Sequence, residues 1–416
     1  MTERMSTAQA PPSKGRANLV LATLFLGTFV LGSAELLVVG VLNLVAADLR
    51  VSIPAAGTLV TAYAAGLAIG GPILTALAIR SDRRHVLVGS LLLFVVANVV
   101  AVLTPDYGSF LAARVGAGAF QGLFIAGAFA AGTAVVPPER RGRAMSVVFS
   151  GVAVSAALGV PLGTLVGQAL GWRGSFVAIV VLSAVALIAS LVVVPSVPST
   201  GGGAGDQARY AFAPRVLAVL LLAVLVFGAV FSALTYIVPF LESVTGVSGA
   251  LISAFLLAYG AATAIGSFAG GRFADANAAR TLVVGATGAL AALLALYLVG
   301  AAAFLAMLAL AALGLFVGGT APSLQYRVVS LAGPGGSLAQ SLPASAANVG
   351  VALGSIAGGR AIETSTTSAA VLTGIVIAVI AAVAAWATGF LKPPVVDEEV
   401  NPSPERPPRP SSSLSP

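Results

Sequence analysis

The sequence predicts an all-α integral membrane protein with twelve transmembrane helices in two six-helix pseudo-repeats. Three observations support this fold class. The chain is 58% hydrophobic and only 8% charged, whereas a soluble protein carries roughly 25% charged residues. Its apolar residues form continuous runs rather than alternating patterns, which favours helices over a membrane β-barrel. The two halves of the chain also repeat similar segments at equivalent places.

Each predicted span is an apolar run long enough to cross a bilayer of about 30 Å. The first run follows a basic N-terminus and is too long for the apolar part of a signal peptide, so we interpret it as a span. The predicted spans cover residues 18–47, 55–79, 86–104, 108–136, 142–170, 174–194, 215–240, 248–271, 280–300, 302–326, 338–360 and 368–391.

The segments between and beyond the spans define the predicted domains. Residues 195–214 are rich in Pro, Gly and Ser, which predicts a flexible cytoplasmic linker between an N-terminal half, 18–194, and a C-terminal half, 215–391. Residues 1–17 form a cytoplasmic N-terminal segment. The tail 392–416 is polar and rich in Pro and Ser, and we expect it to be disordered and cytoplasmic.

The basic residues predict the orientation of the chain. Of the 21 Lys and Arg residues, Arg114 lies inside a predicted span. With the N-terminus inside, only Arg50, Arg173 and Arg360 fall on the outer side, and the other basic residues are cytoplasmic, as the positive-inside rule requires. We therefore expect a multi-pass protein of the inner cell membrane with both termini in the cytoplasm. This distribution explains the net charge of +7 without a nucleic-acid partner.

Two segments of the first half recur in the second half. Residues 61–74 match 257–270, with identical residues recurring 196 positions later, and 121–127 resemble 313–319. Six-helix repeats around a central cavity are a transporter architecture.

Glu35 is the only acidic residue well inside an apolar segment, with no other ionisable group between Arg16 and Asp48. An intramembrane acid costs about 2.5–3.5 kcal/mol on insertion scales and usually marks an ion or substrate pathway. Apolar surroundings favour the protonated form, so the group can take up and release a proton near neutral pH. We predict a proton carrier. A protonated acid that only bonds a neighbouring helix remains the alternative.

Arg114 is the positive counterpart of Glu35 in the predicted fourth span. At 1.5 Å per residue it lies about 9 Å below the outer helix end. One hypothesis is that Arg114 lies near Glu35 and helps to release its proton when substrate arrives. The alternative is that Arg114 extends to the outer membrane interface.

Small residues recur at every fourth position in the fifth and eleventh spans, which places them on one helix face and lets another backbone approach closely. Pro161 interrupts the fifth span and predicts a kink. Tight packing is one interpretation of these faces, and a smooth surface on which the halves rock is its functional extension. The stripes are Gly151, Ser155, Gly159, Gly163 and Gly167, and Ala346, Gly350, Gly354 and Gly358.

Two charged loops, 79–85 and 270–280, are candidate gates on the cytoplasmic side. A carboxylate such as Asp275 can accept helix N-terminal amides or pair with a nearby arginine, and thereby hold the inward side shut. Solvated positive loops are the alternative for most of these charges. The candidate gating residues are Arg80, Asp82, Arg84, Gly271, Asp275 and Arg280.

Polar side chains in otherwise apolar spans are candidate substrate anchors. We expect substrate near the midplane, in a largely apolar pocket with few polar groups. Each anchor has an alternative role as a hydrogen bond between packed helices. The candidates are Asn43, Tyr63, Gln121, Tyr236 and Asn348.

Enzymatic chemistry finds no support in the sequence. The chain has no Cys, and its one His is His85, so neither a metal cluster nor a Ser/His/Asp set is expected. A glycine-rich phosphate loop with Lys is also missing, which argues against ATP as the energy source. We expect no cofactor and no metal.

These residues resemble the major facilitator superfamily, and within it the drug:proton antiporters of the chloramphenicol-resistance and arabinose-efflux kind, over residues 18–391. Residues 32–52 are similar to the group's first-span signature, with Glu35 on its acid and Asn43 in place of its proline. Residues 110–122 resemble the fourth-span motif, with Arg114 on the arginine implicated in proton coupling.

Residues 151–176 resemble the antiporter motif of the fifth span, which separates exporters from symporters. Its pattern falls on Gly151, Gly159, Pro161 and Gly163. The loop at 79–85 departs from the family motif, since Thr75 and Ile79 replace the usual Gly and Asp, so this gate is expected to latch differently or weakly. The second copy, from Gly271 to Arg280, keeps the pattern better.

The resemblance implies a proton-coupled exporter of small amphipathic compounds, such as drugs or antibiotics, that works by alternating access in the lipid bilayer. One twelve-helix chain can enclose a pathway alone, so we expect a monomer. Its partners would be protons and a small-molecule substrate. Two alternatives remain open at this point. One is an exporter of a sugar, a purine or another metabolite, and the other is a membrane receptor or scaffold that does not transport.

Overall fold

The computed structural model describes residues 14–78, 80–137, 140–196, 209–333, 339 and 342–393, and the regular structure within them is helical. The helices of the first half are α1 (Lys14–Leu49), α2 (Ile53–Ala65, Gly66–Gly70 and Gly71–Leu77), α3 (Arg83–Leu103), α4 (Tyr107–Ala134), α5 (Arg141–Val154, Ser155–Gly159 and Val160–Leu170) and α6 (Trp172–Val193). Those of the second half are α7 (Pro214–Leu234, then Ile237–Phe240 and Leu241–Thr245), α8 (Ala250–Ala274), α9 (Ala276–Val299), α10 (Ala303–Ala332), α11 (Leu342–Thr364) and α12 (Ser368–Thr388).

Eleven of these helices are long and apolar enough to cross a membrane. The remaining helix, α11, has 23 residues, which is also long enough to cross, and it packs against α2, α7 and α12. Its Gly, Ser and Asn residues lower its hydropathy. The predicted twelve-helix fold is therefore confirmed.

Most of the predicted N-terminal segment (1–17), linker (195–214) and tail (392–416) lies outside the described residues. Helix α1 already begins at Lys14, four residues before the predicted span.

The two halves repeat the same close helix contacts. A side-chain carbon at Gly118 of α4 would collide with the main-chain oxygen of Tyr63 in α2. In the second half, a carbon at Gly314 of α10 would collide with the main-chain oxygen of Tyr259 in α8. The residues of the two pairs are 196 positions apart, the offset seen in the sequence. The predicted repeat thus has a packing basis.

The contact of α5 with α1 recurs between α11 and α7 with an offset of 199 positions. A carbon at Gly159 would collide with Ser33, and one at Gly358 would collide with Ser232. The glycine stripe of α5 therefore packs against α1 of its own half. The hypothesis that this face forms the sliding boundary between the halves is wrong, because the contact lies inside one half.

Both prolines that follow a widened helical turn lie in first-half helices. The turn Ser155–Gly159 precedes Pro161 in α5, and Gly66–Gly70 precedes Pro72 in α2. A proline ring clashes with the carbonyl four residues earlier in a regular α-helix, and a π-helical turn at that place widens the helix locally.

The halves meet along α2 against α11 and α5 against α8. We call the side that holds Leu49 and Tyr107, predicted to face outward, the outer side. There the Tyr236 ring at the end of α7 fills the space beside Gly57 and Gly359. Deeper in the bundle, the main chain of Ala156 packs directly on Gly260. The two halves are thus in contact at the outer side.

Candidate functional site

Four of the predicted site residues come together between α1, α2 and α4. The Gln121 amide donates a hydrogen bond to the Glu35 carboxylate, with 2.6 Å between Nε2 and Oε2. The Tyr63 hydroxyl donates to Oε1 of the same amide. The Arg114 guanidinium lies over the Tyr63 ring, 4.1 Å from its centre. We call Glu35, Tyr63, Arg114 and Gln121 the polar cluster.

Local sequence explains why the polar cluster forms. Arg114 and Gln121 are seven residues apart, which is two helical turns, so they project from one face of α4. That face turns toward α1 because α2 and α4 approach closely at Gly66 and Gly118. A side chain at either glycine would push the helices apart and separate Tyr63 from its partners.

Arg114 is 1% exposed, so the alternative that it reaches the membrane interface is wrong. Its guanidinium donates to the main-chain oxygens of Ala34 and Glu35, both at 2.9 Å, and its Nε donates to Leu59 at 3.4 Å. Arg114 does lie near Glu35, but its hydrogen bonds go to the main chain and not to the carboxylate. It therefore fixes the backbone of α1 at the acid.

Glu35 is the accessible member of the polar cluster. Its side chain is half-buried, whereas Tyr63, Arg114 and Gln121 are each 1% exposed. The next residue, Leu36, borders a small cleft where α1 and α5 face α7 and α8. We call this the central cleft. It is lined by Leu36, Val39, Ala156, Val160, Leu234, Leu256 and Tyr259.

The candidate anchors divide into groups with different surroundings. Tyr63 and Gln121 belong to the polar cluster. Asn43 donates to the Glu242 carboxylate across the two halves, and the Tyr236 hydroxyl donates to the Ser355 main-chain oxygen at 2.9 Å. Asn348 donates to Ala344 of its own helix at 3.0 Å. The central cleft is lined by none of these five side chains.

Tyr259 is the polar group of the central cleft that the sequence reasoning missed as a site residue. A signal for it was available, because Tyr259 stands 196 positions after Tyr63 inside the recurring segment.

The charged loop at 79–85 is held within the first half. Asp82 accepts the Arg84 main-chain N–H at 2.8 Å, which caps α3, and it also accepts the Ser196 hydroxyl. The Arg84 side chain donates to the Leu191 main-chain oxygen at 2.6 Å. Arg80 is exposed in the same turn. These bonds tie the turn to the end of α6.

The second candidate gate lies at the turn from α8 to α9. The main chain departs from helical geometry at Asn277, whose side chain accepts the Arg280 N–H at 2.9 Å. Gly271 has open space beside it in the last turn of α8. Asp275 lies between the two helices, and its side chain is outside the described parts of the structure.

The second half keeps the helix contacts of the polar cluster but not its chemistry. With the offsets of the two repeats, Tyr63 corresponds to Tyr259, while the other members correspond to apolar residues. These are Leu234 for Glu35, Leu310 for Arg114 and Val317 for Gln121. The carboxylate of the polar cluster therefore has no counterpart at the corresponding position of the second half.

The fold and the intramembrane polar cluster define a class, a polytopic membrane transporter. Residues 24–339 match the family model of the Major Facilitator Superfamily. The chain belongs to this superfamily of transporters.

Two curated relatives are informative. The chain is 32% identical over 352 residues to the inner membrane transport protein YdhP of Escherichia coli strain K12, covering 84% of this chain and 90% of the relative. It is 34% identical over 271 residues to a chloramphenicol resistance protein of Streptomyces lividans, covering 64% of this chain and 69% of the relative.

Among solved structures, the fold is similar to a bacterial homologue of the human lysosomal transporter Spinster. The inward-facing unoccupied form has a TM-score of 0.72 at 17% identity, and it covers 91% of this chain and 98% of that one. The inward-facing occupied form has a TM-score of 0.74 at 18% identity, with coverages of 91% and 97%. This likeness concerns the fold alone.

Proposed function

We propose that this transporter is a proton-coupled exporter of small amphipathic compounds, with drugs or antibiotics as the substrate class. The observation that carries the proposal is the half-buried Glu35 carboxylate, bonded to Gln121 and next to the cleft between the halves. An intramembrane acid is suited to bind and release protons, and the residue after Glu35, Leu36, lines the internal cleft. The glycine and proline pattern of α5, which resembles the antiporter motif, supports export in exchange for protons.

The central cleft is too small to hold a substrate while the halves are in contact, but its lining supports an amphipathic substrate over a sugar once the halves move apart. Six of its side chains are aliphatic and Tyr259 supplies one hydroxyl. A sugar or purine needs several hydrogen-bond partners to replace its lost water, whereas an amphipathic compound needs apolar contact and few polar groups. The similarity to a chloramphenicol resistance protein supports the same substrate class.

In the proposed cycle, the halves 18–194 and 215–391 move against each other around the linker 195–214. The protein acts as a monomer in the inner cell membrane with both termini in the cytoplasm. When the outer side opens, Glu35 takes up a proton from outside. The outer contacts then re-form, and the acid releases its proton inward as substrate binds.

Transport in proteoliposomes tests this proposal. Purified protein is reconstituted, and chloramphenicol, a sugar and a purine are offered as separate substrates under an imposed pH gradient. We expect gradient-driven movement of chloramphenicol. Glu35→Gln should abolish gradient-driven accumulation but keep exchange of labelled for unlabelled substrate, because exchange needs no net proton movement.

Glu363→Gln is the matched control, because it makes the same change in a carboxylate that is 53% exposed at the outer end of α11. It should behave as the wild type. Gradient-driven accumulation that survives in Glu35→Gln would contradict proton coupling through Glu35. Transport of only the sugar or the purine would contradict the substrate class, and transport of none of the three would favour a receptor or scaffold.

A further inference from the structure

The polar cluster contains a hydrogen-bond chain whose direction depends on the charge of Glu35. An ionised carboxylate only accepts hydrogen bonds, so Gln121 must turn its Nε2 toward Glu35, where the distance is 2.6 Å. Its Oε1 then faces Tyr63 and accepts the hydroxyl proton. Because Tyr63 and Gln121 are buried, the direction of this chain is set inside the protein.

A proton on Glu35 changes the requirement at Gln121. The O–H of a neutral carboxylic acid is a donor, and on Oε2 it would meet the N–H of Gln121, which is also a donor. Rotation of the amide by about half a turn exchanges its oxygen and nitrogen. Oε1 then accepts from Glu35 and Nε2 faces Tyr63. The two amide ends are similar in size, so the exchange needs no backbone movement.

Tyr63 has a second acceptor for its proton within reach. Its hydroxyl lies 3.4 Å from the main-chain oxygen of Leu31. After the amide rotates, the hydroxyl accepts from Gln121 and can donate to Leu31. In helical geometry this oxygen also pairs with the N–H of Glu35, four residues further along α1. The second bond therefore acts on the helical turn that carries the acid.

We propose that Gln121 is a positioning residue that reverses its amide when Glu35 takes up a proton, so that Tyr63 moves its hydrogen bond from Gln121 to Leu31. This inference rests on the proposed function of Glu35 as the proton carrier. Arg114, from α4, bonds the main chain of α1 and not the Glu35 carboxylate. Tyr259, from α8, faces the cleft beside Leu36.

The relay also reaches the other half of the transporter. Tyr63 lies on α2, and two residues earlier the Thr61 hydroxyl donates to the Ala352 main-chain oxygen of α11, with 3.5 Å between the oxygens. A change in the bonds that Tyr63 makes to α1 therefore occurs next to a contact between the halves. This links the proton to the surface that must separate during transport.

Infrared difference spectroscopy of the reconstituted full chain tests the relay during a pH titration. The carboxyl band of Glu35 is assigned by its loss in Glu35→Gln, and the band of ring-labelled Tyr63 by its loss in Tyr63→Phe. We expect both bands to change with the same half-maximal pH. In Gln121→Met the tyrosine change should disappear, while the carboxyl band remains and its half-maximal pH rises by about one unit, since a hydrogen bond to a charged group is lost.

Tyr259→Phe is the matched control, because it removes the corresponding hydroxyl of the second half. It should leave the half-maximal pH of the Glu35 band unchanged. If Gln121→Met does not fold, the side-chain carbonyl band of labelled glutamine in the wild type replaces it, assigned by its loss in Gln121→Asn. We expect that band to shift together with the carboxyl band.

A tyrosine band that stays constant while Glu35 titrates would overturn the relay, as it would place the proton on the other carboxylate oxygen. An unchanged half-maximal pH in Gln121→Met would also overturn it. Failure of the proposed function is a different result. In that case Glu35 titrates with the expected bands, but transport in Glu35→Gln remains driven by the pH gradient.

Discussion

Arg114 donates a hydrogen bond to the main-chain oxygen of Glu35 at 2.9 Å, and not to the carboxylate of that residue. In the described part of the chain no ion pair joins the two side chains. The arginine therefore supports the helix that carries the acid, and the acid remains free to bond Gln121. Its charge still acts on Glu35 through space.

Arg114→Lys separates these two roles, because it keeps the charge but loses the planar fork that bonds several main-chain oxygens. We expect a loss of stability of about 1.5–3 kcal/mol, the range for hydrogen bonds to a charged group, measured by thermal unfolding in detergent. The pH profile of transport should keep its shape while its amplitude falls. Arg114→Met, which also removes the charge, should shift the profile. A displaced profile in the lysine variant would contradict a mainly supporting role.

The bond from Asn43 to Glu242 joins α1 to the end of α7 at the outer side. Partial burial raises the pKa of the Glu242 carboxyl above its ordinary value of 4.5, and the bond from Asn43 partly offsets this effect. A raised pKa in the closed state means that this group favours closure below pH 4.5 and that the contribution is lost as the pH rises through the raised value. We expect outer opening to increase with outside pH.

Glu242→Gln should remove this pH dependence and keep the outer side closed at high pH. We expect the population of the outer-closed state to rise about two- to fivefold at high pH, the size of effect measured for exposed charged pairs. The natural chain has no Cys, so cysteine labels at the exposed Pro105 and Thr366 report the distance between the halves. Glu363→Gln serves as control. An unchanged pH response in Glu242→Gln would show that another group controls the outer contact.

Gly260 is a position at which the two halves touch directly. A side-chain carbon there would collide with the main-chain oxygen of Ala156. Gly260→Ala should therefore weaken the outer-closed state and slow transport, although alanine is the better helix former by about 1 kcal/mol. Gly89→Ala is the matched control, since nothing lies within 4 Å of the added carbon. Equal transport rates in the two variants would show that the helices can move apart at this contact without destabilising the outer-closed state.

Asp82 caps α3 and holds the end of α6 through Ser196. Burial acts to raise the pKa of Asp82, but the bonds from Ser196 and the Arg84 N–H outweigh it, so the pKa falls below 3.8. The stability from this group is therefore present above pH 3.8 and lost as the pH falls through the lowered value.

Asp82→Ala should destabilise the start of α3 by about 1 kcal/mol, the cost of a lost helix cap. Hydrogen exchange of the first turn of α3 measures this change, and Ser196→Ala should give a smaller one. A loss of transport much larger than the loss of local protection would return Asp82 to the role of a gate between the halves.

Hydropathy predicts the membrane spans well because it measures how favourably a segment enters the bilayer. It does not indicate where the helix itself ends. The predicted span 86–104 agrees closely with Arg83–Leu103. Helix α10, by contrast, runs to Ala332 instead of residue 326. Its last turns contain Gln325 and Arg327, which lower the hydropathy while the main-chain hydrogen bonds continue.

The polar cluster could be predicted in part, since Arg114 and Gln121 stand two turns apart on one helix. The bonds of Arg114 could not, because its acceptors are main-chain oxygens, which every residue carries and no sequence pattern distinguishes. The sequence marks Asn43 and Tyr236 only as polar groups in apolar spans. Their hydrogen bonds lie between packed helices at the outer side. This position in the membrane depends on how the two halves meet, which the sequence pattern does not indicate.

The replacement of Glu35, Arg114 and Gln121 by Leu234, Leu310 and Val317 in the second half has an electrical consequence. In the proposed cycle Glu35 alone carries the proton, so exporting an uncharged compound moves one positive charge inward. A membrane voltage of 100 mV adds about 2.3 kcal/mol to the free energy that drives each such turnover. This corresponds to a roughly fiftyfold difference in substrate concentration across the membrane. The exporter would then draw on voltage as well as acidity, and it would keep pumping when the pH is equal on the two sides of the membrane.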